Sequence, residues 1–241
     1  MAEFMENLEK KTVLITGGSK GIGYGIAEVL MREKMRVAVT SRTQKAADEA
    51  AAQLNKSGSG EAIGLAADVR KFASQQKAVD EVIKRWGSLD VLIANAGIGH
   101  FGSIEALTPE QWQETIDTNL TGVFYSVKAS LEALRKSKGY IITIASLAGT
   151  NFFAGGCAYN ASKFGLVGFT QAMMLDVRQA GIRVTTIMPG SVATYFNNHE
   201  PSEQDAWKIQ PEDIGQMVAD LLHMHPRTLP SKIEVRPSMP K

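Results

Sequence analysis

The stretch "TVLITGGSKGIGYG", residues 12–25, places three kinds of local sequence side by side. Residues 12–16 are apolar or β-branched, a composition that favours a β-strand. Glycines at positions 17, 21 and 23 follow, and glycine lets a backbone turn tightly and approach a ligand closely. From residue 23 onward the apolar residues, Ile26 and Leu30 among them, recur at helical spacing. A strand, a glycine-rich loop and a helix in this order predict the first unit of an α/β fold with a phosphate-binding turn.

Alternating strands and helices continue along the rest of the chain. Apolar, β-branched runs predict strands at residues 36–41, 62–68, 89–97, 139–146, 182–190 and 232–237. Amphipathic runs predict helices at residues 23–34, 43–58, 74–87, 108–137, 158–181 and 210–224. We therefore expect one α/β domain over residues 1–241, a Rossmann-type doubly wound parallel sheet of about seven strands with helices on both faces. Residues 1–10 are expected to be a flexible leader.

Composition narrows the range of partners. The chain has 241 residues, of which 26 are basic and 25 acidic, for a formal net charge of +1. It contains no basic run and no apolar run of about 18 residues, so neither nucleic acid nor a membrane is an expected partner. One cysteine, and histidines without metal-site spacing, favour a reducing compartment and no bound metal. We expect a cytoplasmic protein.

The glycine loop predicts a bound dinucleotide, because the N-terminus of the following helix offers free N–H groups to a pyrophosphate. In NAD-binding proteins an acidic residue usually lies near the end of the second strand. That position reads "VTSRTQ" here, and the next acid is Asp48. Arg42, together with Lys20, would flank a 2′-phosphate, which favours NADP(H). The predicted contacts of these two segments are Gly17, Ser19, Lys20, Gly21, Ile22, Gly23, Ser41 and Arg42.

The segment "CAYNASK", residues 157–163, puts a tyrosine and a lysine four positions apart. On a helix, Tyr159 and Lys163 then share one face. This spacing fits an ordinary packed pair, and it also fits a phenol whose acidity a neighbouring amine adjusts. The pair alone leaves both interpretations open.

Together these motifs resemble the short-chain dehydrogenase/reductase family, in its group of members roughly 250 residues long. The match runs from Thr12 to about Pro237 and includes the glycine spacing G-x-x-x-G-x-G. Further matching motifs are "NAG" at 95–97, "DTNLTG" around Asn119, "IASLAG" around Ser146, "YNASK" at 159–163 and "PG" at 189–190 followed by Thr194.

The resemblance implies that Asn119, Ser146, Tyr159 and Lys163 are catalytic. Tyr159 would be the acid in reduction and the base in oxidation, with its pKa lowered from about 10 by the Lys163 ammonium. Ser146 would polarise the substrate carbonyl, and Asn119 would hold a water that links Lys163 to solvent. Further cofactor contacts implied by the resemblance are Asp68, Val69, Asn95, Ala96, Gly97, Tyr159, Lys163, Pro189, Gly190, Val192 and Thr194.

The family forms its substrate pocket from three loops, here residues 97–103, 147–157 and 192–209. Their aromatic residues are candidate pocket walls: Phe101, Phe152, Phe153, Tyr195, Phe196 and Trp207. No arginine occurs in these segments, so an apolar or aromatic carbonyl compound is favoured over a small carboxylate. Residues 191–210 are expected to form a lid, His100 to be a loop residue without function, and Cys157 to be small and buried.

The predicted function is that of an NADPH-dependent carbonyl reductase or secondary-alcohol dehydrogenase. Two alternatives stay open, a 3-oxoacyl-[acyl-carrier-protein] reductase and a non-catalytic NADP-sensing protein. The first is weakened because the chain ends "KIEVRPSMPK", without the Gly-Gly pair usual after the last strand of those reductases. Epimerisation or dehydration is disfavoured by the glycine spacing. A homodimer or homotetramer through the helices at 108–137 and 159–180 is implied by the resemblance alone.

Overall fold

The computed structural model describes residues 6–57 and 59–239. Its strands are β1 Thr12–Ile15, β2 Arg36–Ser41, β3 Glu61–Ala66, β4 Val91–Ala94, β5 Tyr140–Ile144, β6 Arg183–Pro189 and β7 Lys232–Val235. Its helices are α1 Gly21–Arg32, α2 Gln44–Ser57, α3 Phe72–Trp86, α4 Pro109–Ile116, α5 Gly122–Ser137, α6 Cys157–Val177 and α7 Pro211–His223. The predicted elements are present, and their ends differ from the prediction by a few residues.

The strands pair in parallel throughout and form a sheet in the order β3-β2-β1-β4-β5-β6-β7. This confirms the predicted doubly wound α/β fold. The strand order changes direction between β1 and β4, and ligands of such sheets bind at this point, beyond the carboxyl ends of the strands.

Two apolar layers cover the sheet, because neighbouring residues of a strand point to opposite faces. In β1, Val13 and Ile15 pack with α1, α2 and α7, and Leu14 packs with α3, α5 and α6. Every residue of β1 and β4 is buried, as continuous apolar runs in a sheet covered on both faces should be.

The predicted helix at 108–137 is divided in the structure. Thr108 and Gln111 form a capping box at the start of α4. Residues Asp117–Thr121 then form a π-helical turn, after which α5 continues. A π turn holds one more residue than an α turn, so the helix changes the direction of its side chains there.

Residues 6–10, predicted from the sequence to belong to a flexible leader, are held against the domain. Leu8 is 4% exposed, Glu6 pairs with Arg183 at 3.2 Å, and Lys10 N donates to Lys34 O at 3.0 Å. Residues 1–5 lie outside the described residues.

Candidate active site

A cleft of about 760 Å³ lies at the carboxyl ends of the strands around the switch between β1 and β4. The structure brings most of the predicted site residues to its walls: Gly17, Ser19, Lys20, Gly21, Ile22, Ser41, Arg42, Asp68, Val69, Asn95, Ala96, Gly97, Ser146, Tyr159, Lys163, Pro189, Gly190, Val192, Thr194, Tyr195 and Phe196. Gly23, Asn119, Phe101, Phe152 and Phe153 are not among the residues that line it.

The glycine loop is shaped by contacts that leave no room for a side chain. Gly17 has a φ of +63°, and a Cβ there would lie 2.9 Å from the Ala96 Cα. At Gly23 a Cβ would lie 2.5 Å from Asn95 Nδ2, which itself donates to Gly17 O at 3.1 Å. Gly23 therefore lets α1 pack closely against the loop, rather than lining the cleft.

Lys20 and Arg42 both line the cleft and are exposed. Lys20 is the N-cap residue of α1 and makes no side-chain capping bond, and Arg42 follows the last residue of β2. Among the described residues, neither side chain is part of an ion pair. Free N–H groups at a helix N-terminus and two unpaired cations are the donor set that fits the phosphates of a dinucleotide.

Asp68 also lies in the cleft, but its carboxylate is engaged by Arg70. Arg70 Nη2 lies 2.8 Å from Asp68 Oδ2, and the pKa of Asp68 is lowered chiefly by this hydrogen bond. Arg70 also reaches Glu114 on α4 at 3.3 Å, and Glu114 accepts His100 Nε2 at 2.9 Å. The sequence did not indicate Arg70 or Glu114, and it suggested no function for His100, because these residues meet only in the folded chain.

The centre of the cleft holds Ser146, Tyr159 and Lys163. Ser146 follows β5, its Oγ accepts Ala148 N at 3.1 Å, and its side chain lies close enough to the Tyr159 phenol to act on that phenol's pKa. Tyr159 and Lys163 lie one turn apart on α6, with Lys163 Nζ 5.7 Å from the centre of the tyrosine ring. Lys163 is 4% exposed, and its Nζ donates to Ile144 O at 3.0 Å.

Burial governs the acidity of both groups. It lowers the pKa of Lys163 to about 8, because the ammonium is removed from water. It raises the pKa of Tyr159, and the Ser146 side chain acts in the opposite direction. From the sequence we expected the lysine to lower the tyrosine pKa. In the structure the effect of burial on the tyrosine pKa exceeds any lowering by the ammonium, which lies 5.7 Å from the ring centre and donates to the Ile144 carbonyl.

Asn119 lies in the π turn, behind the cleft wall, and is fully buried. Its Nδ2 donates to Ile98 O at 2.8 Å and to Ser162 Oγ at 3.0 Å, and its Oδ1 accepts Ile98 N at 2.8 Å. Ser162 in turn donates to Tyr159 O at 2.8 Å. Asn119 thus joins the β4–α4 loop to the helix that carries the tyrosine, a link through Ser162 that no sequence motif indicated.

The candidate pocket aromatics fall into two groups. Phe101, Phe153 and Phe196 are in ring contact with one another or with Tyr159. Phe152 is 86% exposed, and Trp207 lies under Lys208 Nζ at 5.9 Å. Cys157, expected to be buried, is exposed, so that prediction is wrong. It is the first residue of α6, where side chains are only partly covered by the helix itself.

The segment 191–210 is held together by Asp205, which no sequence pattern singled out. Its carboxylate accepts Lys208 Nζ at 2.6 Å, His199 Nε2 at 2.6 Å and Ser202 N at 3.0 Å. These hydrogen bonds, that of Lys208 first, hold the pKa of Asp205 well below its usual range. Lys208 and His199 line the cleft, so this cluster forms one side of the site.

Membrane-spanning helices and metal clusters are absent from the part of the chain that the structure describes. No helix in this part is both long and apolar enough to cross a membrane. Within residues 6–57 and 59–239, no three or more His, Cys, Asp or Glu are grouped to hold a metal ion.

The family model described as short chain dehydrogenase matches residues 11–205. This chain therefore belongs to the short-chain dehydrogenase/reductase family, and it is an oxidoreductase. The family match confirms the resemblance drawn from the glycine loop and the "YNASK" motif.

Proteins whose names indicate different substrates are similar to this chain, at 28–35% identity. Sepiapterin reductase of Chlorobaculum tepidum is 33% identical over 238 residues, covering 95% of this chain and 97% of that protein. The 3-oxoacyl-[acyl-carrier-protein] reductase of Escherichia coli K12 is 35% identical over 212 residues, covering 88% and 85%. An alcohol dehydrogenase from Thermococcus sibiricus, solved with 5-hydroxy-NADP, superposes with a TM-score of 0.90 at 28% identity, covering 97% of this chain and 100% of that one.

Proposed function

We propose that this protein is an NADPH-dependent carbonyl reductase, or the secondary-alcohol dehydrogenase that runs the same reaction in reverse. One observation carries the proposal. A phenol, a hydroxyl and a buried amine meet in a cleft that also contains a phosphate-binding glycine loop. A hydride donor is supplied by the nicotinamide when bound. The chain itself must position a carbonyl and give its oxygen a proton.

The proton comes from Tyr159. Burial raises the pKa of this phenol, so it stays protonated at neutral pH, which is the form that ketone reduction needs. Ser146 holds the carbonyl oxygen beside the phenol through its hydroxyl. After donation the phenolate is stabilised by the Lys163 ammonium, which is 5.7 Å from the ring centre and poorly screened because it is buried. Asn119 fixes the loop beside this group through both of its hydrogen bonds to Ile98.

NADP is the preferred cofactor in this proposal. Lys20 and Arg42 are unpaired within the described residues, and the end of β2 carries no acid that would repel a 2′-phosphate. The alcohol dehydrogenase from Thermococcus sibiricus was solved with an NADP derivative, which is consistent with this choice.

The second candidate is 3-oxoacyl-[acyl-carrier-protein] reductase, which the Escherichia coli relative favours at 35% identity. A candidate of another class, an NADP-sensing protein without catalysis, is disfavoured because Ser146, Tyr159 and Lys163 are all present in the cleft.

The test is NADPH oxidation, followed by absorbance, across a panel of ketones that includes a 3-oxoacyl thioester. We expect turnover of simple ketones, and a loss of about a hundredfold or more in Tyr159→Phe with NADPH affinity retained. Preference for the thioester would select the second candidate. Tight NADPH binding with no turnover of any carbonyl compound would select the sensing protein.

Location and assembly are also proposed. We place the protein in the cytoplasm as a homodimer or homotetramer, with α5 and α6 as contact helices. Exposed apolar residues on these helices support this, with Phe124 45%, Phe164 43% and Leu175 52% exposed. Light scattering after size exclusion tests it, since a monomer at micromolar concentration would contradict the proposal.

A further inference from the structure

Each of the three loops beside the catalytic tyrosine contributes one phenylalanine to the same place. Phe101 comes from the β4–α4 loop, Phe153 from the β5–α6 loop and Phe196 from the β6–α7 segment. We call these three residues the aromatic cap. They are 41%, 48% and 36% exposed and form one contiguous apolar patch, a feature that often marks a ligand-binding surface.

The cap lies directly on Tyr159. Ring centres are 5.3 Å apart for Phe101 and Tyr159, 5.6 Å for Phe196 and Tyr159, and 6.1 Å for Phe101 and Phe196. Phe153 adds a contact with Phe101 at 5.9 Å. The rings are tilted or edge-on, which are the geometries that aromatic groups prefer. Phe196 therefore lies on the cleft wall beside the phenol, and Phe101 packs directly against both Phe196 and Tyr159.

The backbone holds the cap in position. Gly102 N donates to Gly155 O at 2.9 Å, which ties the loop of Phe101 to the loop of Phe153. Asn160, on α6, donates to Ala148 O at 2.7 Å and to Asn151 O at 2.8 Å, and so fixes the second loop. The third segment is held by the Asp205 cluster. Hydrogen bonds therefore hold all three loops of the aromatic cap in place, and its rings have fixed positions.

Charge near the cap is already neutralised. Apart from Lys163, each cation that lines the cleft on this side is paired within the described residues: Arg70 with Asp68 and Glu114, His100 with Glu114, and both His199 and Lys208 with Asp205. A substrate carboxylate would have to break one of these pairs to gain a partner. A neutral substrate has no such cost.

From these observations we infer that the substrate is a neutral ketone with a flat, aromatic group next to its carbonyl, and that Phe101 and Phe196 are its specificity-determining residues. The inference rests on the proposed function. The aromatic group packs on the cap while its carbonyl faces Tyr159 and Ser146. Phe152, 86% exposed and next to Phe153, lies outside the cap and contributes nothing to this choice.

The experiment compares kcat/KM with NADPH for acetophenone and for cyclohexyl methyl ketone, two methyl ketones with a six-membered ring that is flat and conjugated in the first and saturated in the second. Intrinsic reactivity cancels when the ratio of the two is compared between wild type and each variant. Pyruvate serves as the charged comparison. We expect acetophenone to be preferred about fivefold over the cyclohexyl compound, since one aromatic contact is worth about that factor. Phe101→Leu and Phe196→Leu keep the apolar volume and should reduce the preference to about twofold or less. Phe152→Leu, the matched control, should retain it.

Binding provides a second measurement that does not need turnover. Saturation-transfer NMR of acetophenone with the NADP⁺-loaded protein should show contact in wild type and Phe152→Leu, and weakened contact in Phe101→Leu and Phe196→Leu. Equal kcat/KM for the two ring compounds, a preference for pyruvate, or equal effects of the Phe152 and Phe101 variants would overturn the inference. Binding without turnover of any ketone would support the aromatic site and refute only the proposed reductase function, whereas neither binding nor turnover of acetophenone would overturn the inference.

Discussion

The glycine half of the cleft, formed by Gly17, residues 19–22, Ser41 and Arg42, is made mostly of backbone. In its aromatic half, Phe196 lines the cleft and packs with Tyr159 and with Phe101 from another loop. In the glycine half, two cations are left unpaired within the described residues. In the aromatic half, acids neutralise the cations and rings cover the tyrosine. The first arrangement suits a charged ligand of fixed shape, and the second suits an uncharged ligand whose shape differs between relatives. Variants of each half should therefore affect different kinetic constants.

The largest effect is expected from Lys163→Met, at the boundary of the halves. Turnover should fall about a thousandfold, because the phenolate loses its counter-charge. The free energy of unfolding of Lys163→Met should nevertheless be higher than that of wild type at pH 7. The pKa of Lys163 is lowered to about 8 in the folded chain, so holding its proton at pH 7 costs the folded state up to about 3 kcal/mol. In the variant the Ile144 carbonyl has lost its hydrogen bond to Lys163, and this lowers the free energy of unfolding by about 1–2 kcal/mol.

The sign of this stability difference can be checked with pH. As the pH rises through about 8 and towards 10.5, the wild-type lysine loses its proton in both states and its cost disappears. Urea unfolding should therefore show the variant's advantage shrinking by about 2 kcal/mol between pH 7 and pH 10. Lys77→Met, an exposed lysine on α3, should alter neither stability nor turnover. An advantage that stays constant with pH would contradict the assignment.

In the glycine half, Arg42→Ala should raise the KM for NADPH about tenfold or more and leave the KM for NADH nearly unchanged, because it removes one charge-assisted phosphate contact. Lys20→Ala should act in the same direction. Lys45→Ala, a nearby lysine that pairs with Glu49 at 3.9 Å, is the matched control. If the NADPH-to-NADH ratio is unchanged in Arg42→Ala, this residue does not select the cofactor.

In the aromatic half, Asp205→Asn should raise the KM for a ketone about tenfold while the KM for NADPH changes less than about twofold. The amide carries no charge and keeps a single acceptor oxygen, so it cannot hold Lys208 and His199 together, and the segment 191–210 is fixed less firmly. The freed cations should also make small carboxylates better inhibitors. Glu203→Gln, an exposed acid in the same turn, is the control. Equal changes in both KM values would remove the distinction between the halves.

The smallest effect concerns the pH profile of ketone reduction. Burial raises the pKa of Tyr159, and Phe101 is part of that cover. Phe101→Ala admits water, so the pKa of Tyr159 should fall. Reduction needs the protonated phenol, and its alkaline limb should move to lower pH by about half a unit. Phe152→Ala should leave the profile in place, and a shift of the Phe101 variant to higher pH would show that burial is not the cause.

The same contrast explains how far the sequence could be interpreted. Gly17, Lys20 and Arg42 lie in contiguous segments with a fixed relation to strands, so local rules were sufficient to predict a shared cofactor site for them. Helical spacing placed Tyr159 and Lys163 on one face, and the resemblance to the family was needed to predict that this face belongs to the site. The sequence could not distinguish Phe152 from Phe153, although one is 86% exposed and the other contacts Phe101. The Asp205 cluster and the Arg70–Glu114 pair depend on loops that meet only through tertiary structure.

The π turn at Asp117–Thr121 has a consequence for how this helix tolerates insertions and deletions. An α-helix advances each side chain by about 100° around its axis, so one additional residue shifts everything beyond it by that angle. Before the turn, Glu114 faces the cleft, and after it, Val123 and Val127 face the sheet. The residues before the turn therefore face the cleft and those after it face the sheet, although regular α-helical spacing would not direct both sets of side chains in this way. Removing a single residue between 117 and 121 would make α4 and α5 one regular α-helix. Either the core valines or Asn119 would then turn away from their partners.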